Sequence, residues 1–250
     1  MTAANLLTPH FNASLRLWGG LGVAAVIIGA ALTLSRGPDL LPPPRMAESA
    51  VILPGSAPLY VQKYEVTLAE WAVCYDAGGC NLSLRTPAGK DPATTPATGL
   101  SFVDVGEYVA WINRATGHDF RLPSVAEWEF MAAGVLPEHP DPIFTSPDLT
   151  WASSYLTAPQ TKRTLRAQGT FSSTSHGIAD LDGSVWEWTS DCYAGVAEGI
   201  LTPDRCPAFF VAGEHIAAMS FLERDPARGG CAVGAPPAHL GMRLVSDTPV

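Results

Sequence analysis

One local pattern, used three times, constrains this chain more than any other. A hydroxyl residue is followed three positions later by an acid at Thr67-x-x-Glu70, Ser101-x-x-Asp104 and Ser124-x-x-Glu127. The hydroxyl can accept from the third amide of a helix, Glu at that position can reach back to the cap amide, and Asp there complements the helix dipole. Each pattern therefore predicts a helix start, and a glycine ends each run: Gly78-Gly79, Gly117 and Gly134. The first helix is expected to bury Leu68, Trp71 and Tyr75, the second Phe102, Val105, Val109 and Ile112, and the third Trp128, Met131 and Ala132.

Little else reads as regular structure. Strands are expected at Leu59–Tyr64 and Met242–Val245, and residues 135–147, with four prolines, read as loop. With 23 Gly and 22 Pro the chain must reverse often. The fold class that follows is α+β, irregular and turn-rich, with a core leaning on tryptophans; all of the seven but Trp18 lie beyond residue 34. Only 16% of residues are charged and the net charge is −9, without a Lys/Arg run, which excludes a nucleic-acid partner because phosphate affinity needs clustered cations.

Residues 17–34 carry no charge and are long enough to cross a bilayer core as a helix. Arg16 before them sets a weak positive-inside orientation. The organisation expected is a cytoplasmic N-terminus (1–16), a transmembrane anchor or signal (17–35), a Pro-rich linker (36–58) containing Pro42-Pro43-Pro44, and one domain over 59–250. The domain would face the periplasm from a bacterial inner membrane. A signal peptide cleaved near Gly29-Ala30-Ala31 is the alternative, giving a secreted protein.

Five cysteines are present. Cys74 with Cys80 and Cys192 with Cys206 can each close locally around glycines. Disulfides are the expected state in an oxidising compartment, and neither spacing is usual for zinc. The leftover Cys231 is either a reactive nucleophile or a small buried apolar residue.

Taken in order, several segments resemble the formylglycine-generating enzyme family, the sulfatase-modifying factors. They are Tyr64-Glu65-Val66-Thr67, Pro96-Ala97-Thr98-Gly99-Leu100-Ser101, Arg121-Leu122-Pro123-Ser124-Val125-Ala126-Glu127-Trp128-Glu129-Phe130, Gly177-Ile178-Ala179-Asp180-Leu181-Asp182-Gly183-Ser184-Val185-Trp186-Glu187-Trp188 and Leu240-Gly241-Met242-Arg243-Leu244-Val245. The resemblance implies a fold related to C-type lectins and, for working members, oxidation of a client cysteine to formylglycine by copper held on two cysteines. Soft Cu(I) needs those thiolates. Counting back from Leu240-Gly241-Met242-Arg243 puts His215 and Ser220 at the two positions; anchoring on Gly213-Glu214-His215 puts Ala217 and Leu222 there. Neither registration supplies a cysteine, so copper and ordinary formylglycine-generating activity are not expected.

The resemblance further implies a calcium ion on Asp180, the carbonyls of Gly183 and Val185, and Glu187; hard oxygen donors in a turn suit that ion. The alternative is an Asp-Gly turn whose carboxylates cap nearby amides. Glu214-His215 puts a titratable pair beside the old active-site segment, able to do acid/base work or bind metal, although neighbours on a strand point to opposite faces. Trp186 and Trp188 are cleft or core candidates. Arg224 and Arg228 either bind a client carboxylate or brace acids such as Asp225. The function expected is a membrane-anchored accessory or binding protein with a protein or peptide client. Some family branches accompany respiratory enzymes such as copper nitrite reductase, whose maturation it would assist. The alternatives are a metal-dependent oxidoreductase acting on a protein or peptide through Cys231, His215 or both, with Glu214 as a further candidate, and an atypical formylglycine-generating enzyme.

Overall fold

Each helix begins where its hydroxyl and acid place it. In the computed structural model, which describes residues 40–136, 143, 164–193, 206–226 and 238–250, α1 spans Leu68–Asp76, α2 Phe102–Thr116 and α3 Val125–Ala132. All three capping boxes are reciprocal. The aspartate version is complete too: the Ser101 amide donates to Asp104 Oδ2 at 2.8 Å and the Asp104 amide donates to Ser101 Oγ at 3.3 Å. Gly117 closes α2 in the left-handed region at φ 72°, where a side chain is disfavoured.

The buried faces differ in part from the sequence expectation. On α1 Cys74, not Tyr75, joins Leu68 and Trp71 in the core, while Tyr75 is exposed. On α2 Tyr108 and Trp111 are buried with Val105 and Ile112, whereas Phe102 and Val109 are only half-buried. In both helices the inward stripe is rotated by one position because the disulfide and the stacked Trp71–Tyr108 pair, 5.5 Å between centroids, occupy the helix–helix contact. On α3 the expected Trp128, Met131 and Ala132 are the buried residues.

Two four-stranded sheets complete the unit. The first has the order β1-β2-β8-β3, from Val51–Ile52, Pro58–Val61, Val245–Ser246 and Phe120–Arg121. The second has the order β6-β5-β4-β7, from Ile216–Ser220, Ala208–Ala212, Trp186–Tyr193 and Leu240–Gly241. Its β4–β7 pair is parallel, with Trp186 opposite Leu240, and its other pairs are antiparallel. The expected C-terminal strand is split: Met242–Leu244 leaves one sheet and enters the other, so this short segment joins the two.

The folded unit also starts earlier than the prolines suggest. The chain divides at residue 40, and the Leu41 amide donates to the Ala115 carbonyl at 2.8 Å. Met46 bridges to Gln62, and β1 pairs with β2. Residues 41–58 are thus part of the fold rather than a free linker, because their backbone groups find partners that a stalk would leave to water. The uncharged run at 17–34 lies outside the described residues, among which no helix is long and apolar enough to cross a membrane.

Candidate functional site

The cysteines settle first. Cys74 is bonded to Cys80 and Cys192 to Cys206. Four of the five cysteines are therefore spent, and Cys231 lies outside the described residues, as does Arg228.

The segment where working relatives would carry copper is the β5–β6 hairpin. Glu214 and His215 sit in its turn, not on a strand, so strand alternation does not separate their side chains. Both are half-buried, and the His215 ring meets Trp186 edge-on at 4.6 Å. Gly213 has no room for a side chain: a Cβ there would lie 2.6 Å from the Trp186 ring. Of the four positions that could stand for the copper ligands, Ala217 is buried in β6, Ser220 ends it exposed, and Leu222 beyond it is 64% exposed. A copper ion with two sulfur ligands does not fit this donor set.

Trp186 and Trp188 are core residues, not cleft walls: their exposures are 1% and 0%, and the Trp188 indole donates to the Leu100 carbonyl at 2.7 Å. They share a side of β4, and the opposite side, with Glu187 and Thr189, is equally buried there. Arg224 braces, but its partner is Asp104 rather than the neighbouring Asp225. Its Nε and Nη2 each donate at 2.7 Å to the Asp104 carboxylate, a fork-to-fork pair. Burial works against that carboxylate, but the Arg224 and Ser101 hydrogen bonds outweigh it and hold Asp104 below its ordinary range. The Asp225 amide instead donates to Glu223.

The acidic turn before β4 organises the interior. Among the described residues Asp180 is the non-glycine residue with a left-handed backbone, φ 65°. Its carboxylate accepts from the amides of Gly169 and Phe171, the latter at 2.8 Å. Asp182 accepts from the Ser172 amide and hydroxyl at 3.0 and 2.9 Å. Glu187, fully buried, accepts from Arg243 Nη2 at 2.8 Å and from the Trp128 indole at 2.9 Å. Both Asp180 oxygens accept from amides, and Glu187 is paired with the Arg243 guanidinium. Among the described residues no group of three or more His, Cys, Asp or Glu side chains is arranged to hold a metal. The Asp180 carboxylate caps the amides of Gly169 and Phe171, and the Asp182 carboxylate caps that of Ser172.

Sequence reasoning missed the residue at the centre of this network. Arg243, 0% exposed, is held between the two sheets, donating to the carbonyls of Gln62 at 3.0 Å, Lys63 at 2.7 Å and Ala179 at 2.9 Å as well as to Glu187. Its neighbour Glu65, 2% exposed, has an Oε2 that lies 3.9 Å from Arg243 Nη2 and has no hydrogen-bond partner. Burial pushes the Glu65 carboxyl up to about 8; Arg243 opposes this, and Glu187 and Asp180 add to it. Arg243 and Glu65 were legible only as members of motifs, at Leu240-Gly241-Met242-Arg243 and Tyr64-Glu65-Val66-Thr67.

These features define a sulfatase-modifying-factor scaffold. The profile of the sulfatase-modifying factor enzyme 1-like domain matches residues 45–248, and the chain belongs to that family. The formylglycine-generating enzyme of Mycobacterium tuberculosis is 25% identical over 236 residues, covering 80% of this chain and 75% of that protein. The mouse protein named inactive C-alpha-formylglycine-generating enzyme 2 is 30% identical over 134 residues. That match covers 44% of this chain and only 38% of the mouse protein. Among solved structures, PvdO from Pseudomonas aeruginosa superposes with a TM-score of 0.50 at 19% identity, covering 75% of this chain and 80% of PvdO. Treponema denticola variable protein 1 does so with a TM-score of 0.50 at 14% identity, covering 81% and 95%. These two likenesses speak to the fold alone.

Proposed function

We propose that this protein is a non-catalytic member of its family: an accessory or binding domain that engages a protein or peptide client without oxidising it. The observation that carries this reading is the cysteine inventory. A two-thiolate copper site needs two free cysteines, and the two disulfides leave one of five. The mouse relative is named as an inactive family member, which supports the same direction.

The remaining parts of the reading follow from the uncharged run at 17–34 and the disulfides. The run anchors the domain to a bacterial inner membrane, and the disulfides suit the oxidising periplasm. The client is a partner in the maturation of a respiratory enzyme, copper nitrite reductase being one such enzyme. The test is capture in the native membrane: cross-linking of the tagged full chain followed by mass spectrometry. Recovery of periplasmic respiratory-enzyme precursors supports the accessory role, and recovery of sulfatase precursors carrying an aldehyde in place of cysteine refutes it.

A further inference from the structure

Residues 41–45 form one wall of a cavity of about 290 Å³, and α1 and α2 form the other. The first wall is tied at both ends: the Leu41 amide donates to the Ala115 carbonyl at 2.8 Å, and the Arg45 carbonyl accepts from the Lys63 amide at 2.8 Å. Between those ties Pro42, Pro43 and Pro44 have no N–H to offer a ligand. The helical wall is apolar too, with Val73 on α1 and Trp111 and Ile112 on α2. Trp111 and Ile112 are buried, while Leu41 and Val73, at 40% and 48% exposure, open the cavity to water. Two charged side chains border it, and both have partners within the protein. Glu70 accepts from the Thr67 amide and hydroxyl at 2.7 and 2.9 Å, and Arg45 lies 5.7 Å from the Tyr64 ring. What the walls offer a ligand is apolar surface.

The place of this cavity along the chain selects what reaches it. The uncharged run ends at residue 34, and the cavity wall begins at Leu41. The residues between them extend to at most about 25 Å, so a run that crosses a bilayer keeps the wall within that reach of lipid, at a high effective concentration. Exposed apolar surface marks a ligand, protein or membrane contact, and the short tether favours the membrane. We propose that the cavity takes one acyl chain of a membrane lipid, packed between the proline wall and Val73, Trp111 and Ile112. The proposal rests on the bilayer anchoring proposed above for residues 17–34 and goes beyond it by giving the folded domain a lipid contact of its own. None of the cavity's residues belongs to the β5–β6 hairpin.

The test is photo-cross-linking of the full-length protein in vesicles of phosphatidylethanolamine and phosphatidylglycerol that carry a phospholipid with a diazirine in its acyl chain, followed by proteolysis and mass spectrometry. Lipid adducts are expected on two separate regions: the run at 17–34, and the cavity walls at residues 41–45 and around Val73 and Trp111. Leu41→Asp and Val73→Asp each place a charge at the apolar opening and should cut the wall adducts by about tenfold or more, with the adducts on 17–34 unchanged. Both substituted residues are exposed, so the fold is kept, and an unchanged near-ultraviolet circular dichroism spectrum checks this. Adducts on 17–34 with none on the walls overturn the cavity proposal and leave the anchor standing. Adducts on the walls with none on 17–34 support the cavity and overturn the anchor, and adducts on neither overturn both. Wall adducts that survive both aspartate variants, or walls shielded by a co-purifying protein in place of lipid, also overturn the proposal.

Discussion

Replacing Arg243 with methionine tests the architecture at its most connected side chain. The guanidinium makes three bonds to backbone carbonyls and pairs with Glu187, with both partners at 1% exposure or less. A methionine of similar reach fills the volume but leaves Glu187 as a buried charge held only by the Trp128 indole. Removing one partner of a buried pair costs about 3–5 kcal/mol. The three orphaned carbonyls each add up to about 1 kcal/mol or more, though not additively. With a urea slope of about 2–3 kcal/mol/M for a chain of this size, Arg243→Met should move the denaturation midpoint down by about 1.5 M or more. Adding Glu187→Gln removes the stranded charge and should recover a large part of that loss. A midpoint shift below about 0.5 M, or single and double variants that simply add, refutes the view that this pair ties the two sheets together.

Further outcomes follow from other named contacts. Gly213→Ala drives a Cβ to 2.6 Å from the Trp186 ring, so thermal unfolding should show a loss of about 1–3 kcal/mol from overpacking; an unchanged midpoint contradicts the close approach. Glu65 stays protonated in the folded state between its unfolded value of 4.5 and about 8, while the unfolded chain releases that proton. Stability therefore falls as pH rises through this window, on the order of 1.4 kcal/mol per unit at most, and Glu65→Gln should flatten the slope in urea titrations at pH 5, 6.5 and 8. Asp104, held below its usual range, behaves in the opposite sense. The gap of about 1–2 kcal/mol between wild type and Arg224→Ala should be full at neutral pH and close below about pH 4. Replacing Cys192 and Cys206 together with serine opens a loop of sequence separation 14 and should cost about 3 kcal/mol, read by the same denaturation curves.

How much of this was legible in the sequence depends on the range of the interaction. The helix starts were readable because a capping box lies within four consecutive residues, and the disulfides because each pair flanks its own glycine turn or loop. The buried stripes were read one position off where Tyr108, Trp111 and the Cys74–Cys80 bridge decide what faces inward. That is tertiary packing overriding helical period. Residues 41–58 carry a linker's composition yet fold, since their partners Val61, Gln62 and Ala115 come later in the chain. The central network was hidden for the same reason. Glu187 and Arg243 are 56 residues apart, and nothing local distinguishes a buried arginine from a surface one. The turn at Asp180 was read as two alternatives, calcium cage or amide cap, because the residue types serve both. The contacts of that turn with Gly169 and Phe171, and of Glu187 with Arg243, are made by partners that the local sequence does not show.

A sulfatase-modifying-factor fold with four of its five cysteines in disulfides should be unable to oxidise a client cysteine on a two-thiolate copper site. Mass spectrometry of a Cys-x-Pro-x-Arg peptide, incubated with the purified protein, Cu(I), oxygen and a thiol reductant, tests it directly. The cysteine should emerge unchanged, and multiple turnovers to the aldehyde, lost on Cys231→Ser, would contradict the claim.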